Sequence, residues 1–205
     1  MTAPELPAWA IAAIVGAGRR MDARGWVPGT AGNISVRLGA GAIAITRSGG
    51  HKGFLDAAAL MQVDLDGQAL TAGARPSAET LLHCQIYRGF PAAGAVLHGH
   101  SVAATVLSMH RPGPIRLAGY EVLKVFEGQT THDATHDLPV FENDQDIARL
   151  ARAVAPVLEA GAPLGYLIRG HGVYVWGADM PTALARLEGL EFLLACALER
   201  RKLGP

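Results

Sequence analysis

The chain has 205 residues, half of them apolar and 18% charged, with 25 glycines and 12 prolines; this composition describes a turn-rich globular core rather than a disordered segment, and residues 1–205 read as a single domain. Lys and Arg number 18 against 18 Asp and Glu, so no excess positive charge is available for a phosphate backbone, which disfavours a nucleic-acid partner. No run approaches the ~18 apolar residues of a membrane span, Glu5 and two prolines stand where a signal peptide would carry its basic start, and Cys84 and Cys196 sit in apolar helical patterns; a soluble cytoplasmic protein is expected.

In chain order, Trp9, Ile11, Ile14 and Val15 mark an amphipathic helix over 8–24. "GTAGNISVRL" then moves from small turn residues into strand alternation, and "AIAITRSGGHKGF" gives a second strand that stops at a Gly-rich loop. "LMQVDLDGQAL" carries a D-G hairpin signal. Ser77 is the expected N-cap of a helix running to about residue 88, with Glu79 in its first turn. "GAVLHGH" reads as a buried strand followed by the helix "SVAATVLSM", with further strands expected at 115–119 and 138–141. Asn143 is the expected cap of a helix over 143–160, in which Pro156 implies a kink or early stop. "LGYLIRGHGVYVWG" gives two strands joined at "RGHG", and Asp179 with Pro181 opens a long final helix with one leucine face. Hairpins mixed with flanking helices predict α/β layers around a sheet that is not wholly parallel.

Residues two apart on a strand share a face, so His98 and His100 can present their imidazoles side by side. A catalytic zinc takes three protein ligands and keeps one position open; His171, between Gly170 and Gly172, is the best third histidine. His132 and His136 form a rival i, i+4 pair, although their Thr and Asp neighbours argue against a helix there. His83 and His110 read as ordinary helix or loop residues. Gly32, Asn33, Ser48, Gly49, Lys52 and Ser77 fall at strand or helix ends and offer amide, hydroxyl and ammonium donors of the kind that hold a phosphate.

Taken jointly, "TAGNISVR", "ITRSGG", "PSAE", "HGH" and "RGHGVYVWG" resemble the class II (zinc-dependent, fuculose-phosphate type) aldolase superfamily, from about residue 8 to 203. "SGGHKGFL", "EVLKVFEG" with "THD", and "FEND" are most similar to a dehydratase branch that acts on 5-methylthioribulose 1-phosphate in methionine salvage. The resemblance implies a three-layer α/β/α fold with a largely antiparallel central sheet, and a homotetramer with active sites near subunit boundaries. It implies one Zn2+ per subunit on His98, His100 and His171, the three that spacing also selects. Glu79 matches the metal-side carboxylate of the aldolases and Glu121 the general acid/base of the dehydratases; Glu121 is taken for the chemistry and Glu79 as partner of the metal. Glu121 lies in the apolar stretch "YEVLKVF", where burial would raise its pKa toward neutrality.

The implied reaction is loss of water from the sugar phosphate to give 2,3-diketo-5-methylthiopentyl 1-phosphate, with the phosphate anchored at Asn33, Ser48, Gly49, Lys52 and Ser77. The nearest rival is an aldolase or epimerase of the same fold. A non-catalytic adaptor with structural zinc is a reading of another class; it is disfavoured because structural zinc is usually closed by four ligands, often cysteines, and only two cysteines exist.

Overall fold

The computed structural model describes residues 5–162 and 164–204. Its elements are α1 (Ala8–Ala23), β1 (Asn33–Arg37), β2 (Ala42–Thr46), β3 (Leu60–Asp64), α2 (Thr80–Gly89), β4 (Ala95–Gly99), α3 (Val102–His110), β5 (Ile115–Ala118), β6 (Thr135–Leu138), β7 (Val140–Phe141), α4 (Ile147–Glu159), β8 (Tyr166–Ile168), β9 (Gly172–Gly177) and α5 (Met180–Lys202). Short 3-10 turns cover Lys52–Phe54, Ala57–Ala59 and Glu121–Val125.

Seven strands form one sheet in the order β3-β2-β1-β4-β9-β8-β7, antiparallel at every pair except β7–β8, and β5 pairs with β6 in a separate antiparallel ribbon. Side chains alternate across a strand, and here the alternation feeds two cores. Ile34, Val36, Leu97, Val173 and Val175 pack with α1, α3 and α5 on one face. Ile43, Ile45, Val96, Tyr166, Tyr174 and Trp176 pack with α2 and α4 on the other. The result is a three-layer α/β/α architecture around a largely antiparallel sheet, as the resemblance implies. Among the described residues no helix is long and apolar enough to cross a membrane.

Two helices start later than their expected caps. α2 begins at Thr80 because Ser77 spends its groups on the preceding turn: its Oγ accepts from Glu79 N at 3.4 Å and its carbonyl from Thr80 N at 3.0 Å. α4 is capped by Asp146, whose Oδ1 accepts from Arg149 N at 3.0 Å, rather than by Asn143. Pro156 lies inside α4 without ending it; the helix runs on to Glu159. The D-G signal after β3 closes a turn with one antiparallel bridge, Val63 to Ala69. Asp179 caps α5 as expected, its Oδ1 accepting from Thr182 N at 2.8 Å.

Candidate metal centre

His98 is the fourth residue of β4 and is fully buried on the α2/α4 face of the sheet. Chain pairing fixes its place, with Asn33 of β1 on one side and Tyr174 of β9 on the other. His100 stands just past the strand end, where its backbone N–H donates to the Trp26 carbonyl at 2.6 Å. His171 occupies the β8–β9 turn, its N–H donating to the Ile168 carbonyl at 3.1 Å. Glu79 reaches the same point from the cap of α2. The backbone at Gly32 closes in behind: φ is +81° and a Cβ there would lie 2.7 Å from the His98 carbonyl oxygen, so only glycine fits.

The four side chains converge. The Nε2 atoms of His98 and His100 are 2.9 Å apart, Glu79 Oε1 is 2.9 Å from His171 Nε2 and 3.7 Å from His98 Nε2, and one ligand atom from each of the four lies within 4.8 Å of every other. Tetrahedral zinc at 2.0–2.1 Å from each nitrogen would set them about 3.3 Å apart, close to this spacing.

Protonation suits the same role. His98 Nδ1 is 2.9 Å from the Val173 carbonyl; a carbonyl only accepts, so Nδ1 carries the hydrogen and the Nε2 lone pair points into the cluster. Burial, reinforced by His98 and His171, pushes His100 down to about 3 and keeps it neutral. Burial pushes the Glu79 carboxyl up, but hydrogen bonds to His171 and His98 and their charge outweigh it and hold the group well below the usual carboxylate range. Three imidazoles and one carboxylate whose ligand atoms face one another form a donor set that fits a divalent metal. Among the described residues this is the one such group of His, Cys, Asp and Glu.

The expected phosphate donors are placed less uniformly. Asn33 is 3% exposed and its buried Oδ1 has no hydrogen-bond partner. Ser48 and Gly49 form an exposed turn, and Ser77 is half-buried. Lys52 is 1% exposed and its Nζ donates to the Thr30 carbonyl at 2.8 Å and the Gly50 carbonyl at 2.6 Å. That leaves one of its three N–H groups. Burial lowers its pKa against the pull of Glu79.

Glu121 departs from expectation. Its side chain is 68% exposed at the start of a 3-10 turn, and its oxygens sit 2.6 Å from Lys124 Nζ and 3.9 Å from His132 Nδ1. The apolar neighbours take the inward positions instead: Leu123 is fully buried, and Val122 and Val125 pack at Gly189 of α5. The hydrogen bond from Lys124 therefore holds the Glu121 pKa down rather than burial raising it. His132 and His136 do not come together as a metal pair: His132 is paired with Asp133 at 3.1 Å, while His136, on strand β6, bonds Gln129 Oε1 at 2.7 Å.

Two buried titratable residues outside the cluster have no role in the sequence reading, which placed His83 in a helix or loop; it lies in α2. His83 is fully buried, its Nδ1 2.8 Å from Ser35 Oγ, which also meets Tyr87 OH at 3.0 Å; its i, i+4 spacing from Glu79 was the available signal. Glu191 is 4% exposed on the leucine face of α5, and its place four residues after Leu187 and three before Leu194 was its signal.

The family model of the Class II Aldolase and Adducin N-terminal domain matches residues 12–198. The chain belongs to this family. It is 68% identical to the methylthioribulose-1-phosphate dehydratase of Granulibacter bethesdensis, across 96% of this chain and 94% of that protein. It is 69% identical to the Gluconobacter oxydans protein of the same name, across 91% and 90%. Among solved structures, the L-fuculose-1-phosphate aldolase of Thermus thermophilus superposes with a TM-score of 0.77 at 29% identity, covering 95% of this chain and 97% of that one.

Proposed function

We propose that this class II aldolase family member is a lyase that removes water from 5-methylthioribulose 1-phosphate, giving 2,3-diketo-5-methylthiopentyl 1-phosphate in a cytoplasmic methionine salvage pathway. The observation that carries the reading is the convergence of His98, His100, His171 and Glu79 in a chain 68% identical, almost end to end, to a dehydratase of that name. The three imidazole nitrogens favour Zn2+ at His98, His100 and His171. Bound there, zinc would act as a Lewis acid on the ketose carbonyl and make the adjacent C3 proton more acidic.

The chain's own residues account for the rest. Glu79, whose Oε1 lies 2.9 Å from His171 Nε2 and 3.7 Å from His98 Nε2, is the metal-side partner of the three histidines. The phosphate is held at Asn33, Ser48, Gly49, Ser77 and the remaining N–H of Lys52, and this remote binding places C3 and C4 for reaction. Glu121 is the general acid/base: the C3 proton and the C4 hydroxyl leave together as water, and the group that takes one proton gives one back. Its exposure and its absence from the donor cluster within the chain support a place in the site of a neighbouring subunit of a homotetramer.

The test is an assay of metal-loaded protein with 5-methylthioribulose 1-phosphate, following diketone absorbance and product mass. Loss of one water, abolished by chelator and restored by zinc, is expected. Cleavage to two- or three-carbon fragments would return the protein to the aldolases, and a reaction indifferent to chelation would remove the metal from the mechanism.

A further inference from the structure

Three consecutive residues of β9 hold the His98 imidazole from different sides. Gly172 gives clearance, since a Cβ there would lie 3.0 Å from His98 Cε1 and 2.1 Å from the Gly99 carbonyl oxygen. Val173 supplies the carbonyl that takes the Nδ1 hydrogen. Tyr174, directly opposite His98 in the β4–β9 register, lays its ring against the imidazole with centroids 4.1 Å apart and planes 11° apart. Tyr166, its partner in the β8–β9 register, stacks on Tyr174 in turn at 4.9 Å and 13°. All three rings are fully buried.

The two restraints on His98 are of different kinds. An in-plane hydrogen bond from Nδ1 fixes the tautomer but leaves the ring free to tilt about the bond. A flat ring against one face removes that tilt. Together they fix the direction of Nε2, which lies 2.9 Å from His100 Nε2 and 3.7 Å from Glu79 Oε1. The phenol oxygens of Tyr174 and Tyr166 are buried with no hydrogen-bond partner, a cost in itself, so the ring faces rather than the hydroxyls carry the contact.

We propose that Tyr174 is a positioning residue for His98: its ring, backed by Tyr166, sets the tilt of the imidazole that aims Nε2 into the donor cluster. The proposal rests on the reading of that cluster as a metal site. Partners of this type, which touch a ligand and not the metal, change metal affinity by about 10- to 100-fold.

The experiment measures zinc affinity by chelator competition and the visible spectrum of the cobalt-loaded protein. Tyr174→Leu is expected to weaken zinc binding by about 10- to 100-fold and to shift the cobalt bands, while Tyr174→Phe keeps both as in the wild type. Tyr174→Met, unbranched and more adaptable but without a flat ring, carries the same expectation as Tyr174→Leu and serves if that variant does not fold. Trp176→Leu cuts the same strand on the same face, where the ring meets Phe90 at 4.8 Å and Tyr166 only at a tilt and 6.4 Å, and no histidine; it should lose stability but not metal affinity. Unchanged affinity and spectrum in both ring-removing variants would overturn the proposal, as would an equal loss in Trp176→Leu. Relaxation of the His98 ring C–H bonds in the metal-free protein gives an independent reading, with a rigid ring in the wild type and added ring motion in Tyr174→Leu, the Nδ1–H tautomer being held in both by the Val173 carbonyl. A wild type that binds no zinc would sink the metal reading instead, and equal His98 ring mobility in the two proteins would then sink the positioning role on its own.

Discussion

The β4–β9 end of the sheet and the segment that carries Glu121 are built in opposite ways. At the sheet end, strand register and a tight turn bring four side chains from distant parts of the chain to one point, and His98 is fully buried there. In the Glu121 segment the carboxylate stands 68% exposed on a 3-10 turn, held by Lys124. On the proposed roles, the difference follows from what each task demands. Metal ligands must be fixed relative to one another to within tenths of an ångström, which a single folded chain supplies through its sheet. A proton-transfer group has to reach the substrate, and a surface turn can do that across a subunit boundary.

The largest effects separate the two regions. His171→Ala is expected to abolish metal binding and turnover together. Glu121→Gln should keep the metal, measured by atomic absorption after dialysis, while kcat falls by about 10^2- to 10^4-fold. Normal turnover in Glu121→Gln would exclude that residue from the chemistry. Mixing the two inactive variants by unfolding and refolding tests the boundary directly, because a hybrid in which one subunit offers its metal site and its neighbour an intact Glu121 regains activity, at about a quarter of the sites in a random mixture of a cyclic oligomer. No recovery from well-mixed hybrids would place Glu121 and its metal site on the same chain.

A smaller effect probes the backbone of the metal end alone. Gly32→Ala forces a side chain into a positive φ and against the His98 carbonyl at 2.7 Å. The expected loss is about 2–4 kcal/mol in urea unfolding, with zinc affinity falling alongside. A loss of stability with unchanged zinc affinity would show that β4 tolerates a shift at His98 without disturbing the cluster.

What the sequence made legible was local. The two-residue spacing of His98 and His100 and the glycines around His171 were enough to nominate the three imidazoles, and alternation along β1, β4 and β9 was enough to sort the two cores. Glu79 was legible through the family resemblance, because a first-turn glutamate is equally well explained by the helix dipole. Lys52, read as a phosphate donor, commits two N–H groups to the Thr30 and Gly50 carbonyls, a long-range pairing that no local pattern encodes. Glu121 was read as buried from its apolar neighbours, yet Leu123 and Val125 took the inward positions and turned the carboxylate out. The caps at Ser77 and Asn143 were misplaced because each lies in a run of side chains able to accept a hydrogen bond, and tertiary fit chose among them.

Helix α5 touches both regions and gives the smallest of the expected effects. Gly189 receives Val125 from the Glu121 turn, and two residues on, Glu191 faces the hydroxyl of Ser101, which caps α3 immediately after His100. Burial raises the Glu191 carboxyl from its ordinary 4.5 to about 7, against a smaller lowering by Ser101. A folded-state value above the unfolded one means that the stability tied to protonated Glu191 is complete below pH 4.5 and is lost as the pH rises through 7. The loss approaches about 3 kcal/mol when the carboxyl ionises fully. Glu191→Gln cannot ionise, so its urea midpoint should match the wild type at pH 4 and exceed it at pH 8. The same variant distinguishes which region α5 supports more. If the gain at pH 8 comes with tighter zinc binding, the ionised carboxylate was disturbing α3 and through it His100; if stability rises and zinc affinity does not move, the strain was confined to the helix layer. Equal midpoints at both pH values would mean that Glu191 meets a charge partner or solvent in the assembled protein, and α5 would then join the two regions through Gly189 alone.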